Sequence, residues 1–288
     1  MRLAATLTAV MIVAGTVAPW AALAQSTAPV TRAVLTSERI AQIIASPDRG
    51  PQDREADKRR KPEQVLGFIG IWPGMSALDI SASNGYTTEL LARAIGPTGR
   101  VYGQTGPAFQ GVMPPPGTRG PTPGVPPVRM STRSPSATVA TFEKRNGIMK
   151  QAGAPAATLI ALTGTFEAPI APDLIADGLD LVTLMNNYHD LGYLGTDRAA
   201  MNQAIFRALK SGGLYIITDY AGRTGTGISE ANTMHRIEES FLRKEVEAAG
   251  FKLDSSADFL RNPKDPRNTN IPAEGQAKDV FVLKFVKP

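Results

Sequence analysis

The chain has 288 residues and a formal net charge of +5, with 31 basic and 26 acidic side chains. A charge this mild, without a surface of interleaved basic and aromatic residues, argues against a nucleic-acid partner. Cysteine is absent, which excludes disulfides, thiolate metal sites and cysteine nucleophiles. The length is sufficient for one sizeable α/β domain.

The first 24 residues have the layout of a secretory signal peptide. Arg2 precedes a long apolar run that ends in the small-x-small tripeptide Ala22–Ala24. An uncleaved membrane anchor is the alternative, because the run is about as long as a spanning helix. Pro19 and the cleavage tripeptide favour removal. We therefore predict a periplasmic or secreted protein, without stable membrane insertion, that begins with an extension over residues 25–60.

Helical and strand patterns alternate after this leader. A short helix is predicted at Ser37–Ile44, and the charge run Asp53–Lys61 is predicted to be a solvated helix face. Predicted strands are Ala77–Ala82, Arg100–Gln104, Thr158–Leu162, Leu179–Met185 and Leu214–Asp219. Predicted helices are Pro62–Ile69, Thr87–Ile95, Thr141–Gly153, Arg198–Lys210 and one long helix that carries Met234 to Ala249.

The last two apolar segments, Phe251–Leu253 and Asp279–Val286, follow each other without an intervening helix. They are expected to pair antiparallel at a sheet edge. Five β/α units before them indicate a mostly parallel sheet with helices on both faces. Residues 106–141 interrupt this pattern with nine prolines, five glycines and no acidic residue. We expect a disordered surface insertion there, within a domain that spans residues 61–288.

Polar side chains collect where the predicted strands end. In open α/β sheets, ligands bind beyond the carboxyl ends of the strands. Both histidines of the chain belong to this group. Its members are Ser81, Ser83, Asn84, Gly85, Gln104, Phe166, Glu167, Asn186, Asn187, Tyr188, His189, Asp190, Asp219, Tyr220, His235 and Arg236.

The sequence from about Lys61 to Pro288 resembles class I S-adenosylmethionine-dependent methyltransferases, and within them a group of exported bacterial predicted methyltransferases. The segments that carry the resemblance are KPEQVLGFIGIWPGMSALDI, GYTTELLARAIGPTGRVYGQ, DLVTLMNNYHDL, DRAAMNQAIFRALKSGGLYIITDYA, MHRIEE and VFVLKFVKP. The resemblance implies an α/β, Rossmann-like fold with a seven-stranded sheet and an antiparallel C-terminal hairpin. It also implies S-adenosylmethionine as the cofactor and a small-molecule methyl acceptor.

In that family, an acidic residue and a Gly-x-Gly-x-Gly loop after the first strand surround the methionine part of the cofactor. Asp79 matches the acidic position, Ser81 and Ser83 replace the first two glycines, and Gly85 matches the third. These four residues are expected to bind the cofactor. The substitutions matter because glycine permits positive φ and close backbone approach.

Two further cofactor contacts follow from the resemblance. The family commonly places an acidic residue at the end of the second strand, where it accepts both ribose hydroxyls, and this chain has Gln104. A neutral acceptor weakens such hydrogen bonds by about 1–2 kcal/mol. Glu167, after the third strand, is expected to face the adenine.

The position of the histidines leads to a hypothesis about catalysis. Methyl transfer requires an aligned acceptor and, for a hydroxyl or amine, a base that removes a proton. His189 is the predicted base and Asp190 the residue that orients it, with Tyr188 and His235 shaping the acceptor pocket. His189, His235, Asp190 and Asp219 are also ligand types for zinc or iron. No short ligand spacing supports a metal site, so none is predicted.

Two other functions remain open at this stage. Ser81, Ser83, Gln104 and the export signal favour an exported, non-catalytic binding protein that keeps the fold with a degenerate cofactor loop. Hydrolysis in the same crevice is a third reading, but no nucleophile elbow supports it.

Overall fold

The computed structural model describes residues 33–106, 134–270 and 276–288. The predicted signal peptide, residues 1–24, and most of the Pro/Gly-rich segment, residues 107–133, lie outside this part. Residues 33–288 belong to one compact unit. No helix among the described residues is long and apolar enough to cross a membrane.

The described part contains seven strands and eight α-helices. From β1 to β5 an α-helix connects each strand to the next, except that a short 3-10 turn at Pro172–Ile175 connects β3 to β4. The strands are β1 (Ser76–Ile80), β2 (Arg100–Thr105), β3 (Leu159–Thr163), β4 (Leu179–Met185), β5 (Leu209–Tyr220), β6 (Lys252–Ala257) and β7 (Val280–Val286). The helices are α1 (Ser37–Ile44), α2 (Pro51–Arg60), α3 (Pro62–Ile69), α4 (Tyr86–Ile95), α5 (Pro135–Gln151), α6 (Arg198–Ala208), α7 (Ala231–Met234) and α8 (Glu239–Ala248).

All seven strands belong to one sheet with the order β3-β2-β1-β4-β5-β7-β6. Strands β1 to β5 are parallel, and β7 runs antiparallel to both β5 and β6. The predicted Rossmann-like sheet with antiparallel C-terminal strands is confirmed. Strand β7 lies between β5 and β6, so the outermost position on this side belongs to β6.

The sheet is buried on both faces, as the apolar sequence of β4 predicts. Val182 and Leu184 pack on the face covered by α6 and α8, whereas Leu181 packs on the face covered by α1, α3 and α4. All three side chains are fully buried. These two cores fix the strand register and therefore the positions of the strand ends.

The charge run in α2 is not simply a solvated face, in contrast to the prediction. Asp53 is 6% exposed, and its carboxylate accepts a hydrogen bond of 2.6 Å from Arg145 on α5. Asp57 accepts two hydrogen bonds, of 2.7 and 2.8 Å, from Arg49. The ion pair of Asp53 therefore connects α2 to α5, and the ion pair of Asp57 holds α2 to the segment just before it.

Helix α5 begins earlier than the sequence suggests. It starts at Pro135, so the end of the segment predicted to be disordered is helical. The Ser134 side chain accepts a hydrogen bond of 3.2 Å from the backbone N–H of Ala137. A serine N-cap followed by proline at the first helical position is a favourable helix start that the high proline content concealed.

The prediction of one long helix across Met234–Ala249 is wrong, because the helix is interrupted between α7 and α8. His235 has a left-handed backbone conformation with φ of 49°. Arg236 is fully buried and binds Asp265 through two hydrogen bonds of 2.8 and 3.1 Å. The Ile237 backbone N–H donates to the Tyr220 carbonyl at 3.0 Å. These long-range contacts override the helical periodicity.

Candidate functional site

The two histidines lie side by side at the carboxyl ends of β4 and β5. Nε2 of His189 is 3.3 Å from Nδ1 of His235 and 2.9 Å from Oδ1 of Asp190. Nδ1 of His235 is 3.1 Å from the same oxygen of Asp190. We call these three residues the His-Asp-His cluster. The structure thus brings two segments that are distant in sequence into contact.

His189 is held rigidly by Asp219, which ends β5. One carboxylate oxygen of Asp219 lies 2.6 Å from Nδ1 of His189, and the other accepts the backbone N–H of His189 at 2.8 Å. Burial alone would lower the pKa of His189, but the negative charges of Asp219 and Asp190 outweigh it and raise the pKa to about 10. A raised pKa favours the protonated imidazole, which is a poor general base at neutral pH, and the role of His189 as the base stays a prediction.

Asp190 connects the cluster to the loop after β1. The Asn187 side chain donates to Oδ2 of Asp190 at 2.6 Å, and the hydroxyl of Tyr193 donates to Oδ1. Ser81 donates to the Asn187 side-chain oxygen at 2.6 Å. Burial would raise the pKa of Asp190, but hydrogen bonds from the two histidines hold it well below its usual value. A continuous hydrogen-bonded chain thus joins the predicted cofactor loop to the cluster.

The loop after β1 keeps the backbone shape of a glycine-rich turn. Ser81 and Ser83 have φ of 58° and 50°, and Gly85 has φ of 78°. Two serines therefore occupy the left-handed conformation that glycine normally supplies, at a cost of roughly 1–2 kcal/mol each. A Cβ on Gly85 would lie 2.9 Å from the Phe142 ring, so glycine is required there.

The side chains of Asp79 and Gln104 form hydrogen bonds with other groups of the protein. Both oxygens of Asp79 accept threonine hydroxyls, from Thr88 at 2.7 Å and Thr183 at 2.8 Å. Gln104 is fully buried; its oxygen accepts the Ser81 N–H at 3.0 Å. Its amide nitrogen donates to the carbonyl of Gly164 at 2.8 Å. In this conformation the two side chains shape the strand ends rather than face a ligand.

Two more predicted site residues lie outside the cluster. Tyr188 is fully buried, accepts from Asn202 at 2.8 Å and donates to Glu245 on α8 at 3.0 Å. Its hydroxyl is directed between α6 and α8, and its role in an acceptor pocket stays a prediction that these contacts do not support. Glu167 accepts the N–H of Asp197, at the start of α6, at 2.9 Å.

A cavity of about 330 Å³ opens beside the cluster, on the α3 and α4 side of the sheet. Tyr220 lines it, and the Tyr220 ring lies 5.7 Å from the His189 ring. Most of its wall is apolar, and none of the described lining residues is acidic. Polar side chains in the lining include Arg59, Arg60, Tyr86, Thr87, Asn186 and Lys278.

Lys278 is a site residue that the sequence analysis missed. Its ammonium lies 4.3 Å from the centre of the Tyr220 ring and donates to Asn270 at 2.9 Å. Burial and the nearby Arg236 lower the pKa of Lys278 to about 8. Its only sequence signal is its position just before the apolar run of β7, which does not distinguish it from a surface lysine.

Comparison with known structures identifies the fold. A SAM-dependent methyltransferase from Aquifex aeolicus superimposes with a TM-score of 0.51 at 14% identity, covering 88% of this chain and 100% of that chain. The chain has the class I methyltransferase fold. A putative methyltransferase in a complex with the Trm112 activator, from Haloferax volcanii, is similar with a TM-score of 0.48 at 18% identity, over 88% of this chain and 99% of that chain. An arsenic(III) methyltransferase from Chlamydomonas reinhardtii has a TM-score of 0.49 at 13% identity, over 86% of this chain and 73% of that chain. No protein-family profile and no curated protein sequence matches the chain.

The methyltransferase fold offers one half of a cofactor site. Helix α4 begins at Tyr86 directly after the left-handed Gly85, which has no side chain to cap it, and Asp79 hydrogen-bonds the backbone of Thr88 in the first turn. Tyr86 and Thr87, the first two residues of the helix, line the cavity, and a carboxylate is favourable near a helix N-terminus. These residues fit the amino-acid end of S-adenosylmethionine. At the ribose end, the chain has Gln104 in place of the acidic acceptor. Both polar atoms of Gln104 form hydrogen bonds within the protein.

Proposed function

We propose that the protein is an S-adenosylmethionine-dependent methyltransferase that acts on a small, largely apolar acceptor. The observation that carries this proposal is the loop after β1. Ser81 and Ser83 hold positive φ angles without being glycine, and such strain is retained where the surrounding structure imposes it, most often at functional sites. The loop and the backbone amides of Tyr86 and Thr87, at the start of α4, form the cradle for the carboxylate of the cofactor.

Cavity composition indicates the class of acceptor. Leu66, Ile69, Leu90, Leu91 and Met185 supply apolar lining, and the basic residues Arg59, Arg60 and Lys278 also line the cavity. A volume of about 330 Å³ suits a small organic molecule. The acceptor we propose therefore has an apolar body and an acidic or anionic group, such as a phenol or a carboxylic acid.

The residues of the chain have two tasks in this reaction. When bound, the cofactor supplies a methyl group that its sulfonium already activates. The apolar wall fixes the acceptor and excludes water, which favours an in-line approach. Lys278 lines the cavity with a pKa of about 8, so its neutral amine takes the acceptor proton above that pH. This assigns to Lys278 the task that the sequence analysis gave to His189.

Substitution of Thr87 tests the cradle. The side chain is partly exposed in the first turn of α4. Thr87→Glu places a negative charge where a helix prefers one, so the free energy of unfolding is expected to rise by about 0.3–1 kcal/mol. The same charge repels a bound carboxylate. Calorimetry should therefore show binding of S-adenosylmethionine by the wild type and by the neutral control Thr87→Gln, but not by Thr87→Glu.

The second candidate function is non-catalytic ligand binding with the same fold. Gln104 favours it, because this side chain is fully buried and both of its polar atoms bond within the protein. The absence of heat and of a thermal shift at millimolar S-adenosylmethionine in the wild type would select this function. Export through the signal peptide at residues 1–24 is part of either proposal, and secretion of the full chain fused to a periplasmic reporter tests it.

A further inference from the structure

The His-Asp-His cluster has the geometry of a metal site. Its three facing atoms, Nε2 of His189, Oδ1 of Asp190 and Nδ1 of His235, are separated by 2.9, 3.1 and 3.3 Å. Ligands bound at 2.0–2.2 Å to one tetrahedral or octahedral ion lie about 3.0–3.4 Å apart. The three atoms are therefore close enough together for one ion to bind all of them.

Outer hydrogen bonds orient each of the first two ligands. Asp219 binds Nδ1 of His189 at 2.6 Å and so directs Nε2 toward the other two ligands. Asn187 and Tyr193 donate to Asp190. A carboxylate behind the distal nitrogen of a histidine is the usual arrangement around protein metals, where it fixes the ring and raises its basicity.

The backbone of His235 gives an independent argument. It adopts φ of 49°, which costs free energy for a residue other than glycine. Arg236, fully buried on Asp265, and Ile237, hydrogen-bonded beside β5, impose this turn. The strained residue is the one that presents its imidazole to His189. The fold therefore keeps the two imidazoles together despite the free-energy cost of this backbone conformation.

Charge also favours a cation at this point. The cluster and its outer ligand contain two carboxylates, Asp190 and Asp219, and two imidazoles. An imidazole ligand is neutral, so the ion displaces the proton that His189 otherwise holds. A divalent ion balances these two negative charges. Asp190 and His235 each have about 20% of the side chain exposed, so the open side of the triangle is accessible to an ion.

We propose that His189, Asp190 and His235 bind one divalent first-row transition metal ion, zinc or ferrous iron, with Asp219 as the outer carboxylate. Two imidazoles and one carboxylate are a ligand set that suits these ions. The remaining coordination positions are left for water or a ligand. The site does not depend on the methyltransferase proposal, since none of its ligands belongs to the cofactor cradle.

The composition of the chain makes the test specific. The sequence contains two histidines and no cysteine, so imidazole coordination in a protein without a polyhistidine tag reports this cluster alone. Zn²⁺ is titrated into the chelator-treated full chain by calorimetry, and the ring resonances of both histidines are followed by NMR. We expect a stoichiometry of one ion per chain, micromolar or tighter affinity, and simultaneous shifts of both rings.

Three variants complete the design. His235→Asn removes a ligand but tolerates positive φ, so it should remain folded and lose Zn²⁺ binding. Asp219→Asn should weaken binding by about 10- to 100-fold. Asp258→Asn, whose carboxylate is 91% exposed, should not change it. Lack of binding at millimolar Zn²⁺, binding that leaves either imidazole unshifted, or full affinity in His235→Asn would each overturn the metal site. Calorimetry with S-adenosylmethionine reports the cofactor cradle separately.

Discussion

Replacement of Asp79 by Asn distinguishes a structural carboxylate from a ligand-binding one. Asp79 is 2% exposed, and both of its oxygens accept threonine hydroxyls. Burial raises the pKa of this carboxyl from 3.8 to about 6, against the opposing effect of the hydroxyls of Thr88 and Thr183. Ionised Asp79 therefore lowers the free energy of unfolding. Asparagine has nearly the same shape but no charge, so it does not have this effect.

The magnitude follows from the shift. About 2 pKa units at roughly 1.4 kcal/mol each give about 3 kcal/mol. Because the folded-state pKa is raised, the unfolded chain ionises first as the pH increases. The stability of the wild type relative to Asp79→Asn should thus be greatest below about pH 4 and decrease by up to about 3 kcal/mol as the pH rises through about 6.

Urea denaturation of the two proteins across this pH range measures the difference. The exposed control Asp258→Asn should change the free energy of unfolding by less than about 0.5 kcal/mol. A wild-type-minus-variant difference that stays constant with pH would refute the reasoning. The same variant tests the predicted cofactor contact: if Asp79 touches the ligand, S-adenosylmethionine affinity decreases, whereas the observed contacts predict unchanged affinity.

Three more predictions concern the surroundings of the site. Arg145→Met leaves Asp53 and Glu89 as buried carboxylates without this partner and should lower the free energy of unfolding by about 3–5 kcal/mol. The control is Arg243→Met, at an exposed position. Equal effects of the two substitutions would show that burial does not decide the size of the effect. Ser83→Gly should be more stable than Ser83→Ala by about 1 kcal/mol, because only glycine relieves the positive φ, and thermal denaturation would show the reverse order if the loop were relaxed. An NMR titration should find the Lys278 amine changing protonation near pH 8, and an ordinary lysine titration would remove it as the proton acceptor.

The parallel core of the fold could be predicted because its signals are local. The apolar run of β4, Leu179–Met185, is long enough for a strand buried on both faces, and β/α alternation fixes which strand ends meet. This is why Asn187, His189 and Asp190 were placed beside Ser81 and Asp219 from the sequence. The two histidines are distant in sequence, but each follows a strand that ends at the same edge.

The break at His235 could not be predicted, because the apolar spacing of Met234, Ile237 and Phe241 is the same in a continuous helix. It results from Arg236 and Asp265, which are far apart in the sequence. The inward direction of Gln104 is also set by partners elsewhere, Ser81 and Gly164. The direction of such side chains depends on how distant loops come together. It produces no periodic pattern in the sequence.

A crystal structure of the full chain with S-adenosylhomocysteine would test most directly whether the methyltransferase fold still serves its cofactor. We expect the carboxylate of the ligand within hydrogen-bond distance of the backbone amides of Tyr86 or Thr87, beside the loop of Ser81–Gly85, with the sulfur facing the cavity. A ligand bound away from this loop, or crystals that remain without ligand at saturating concentration, would contradict it.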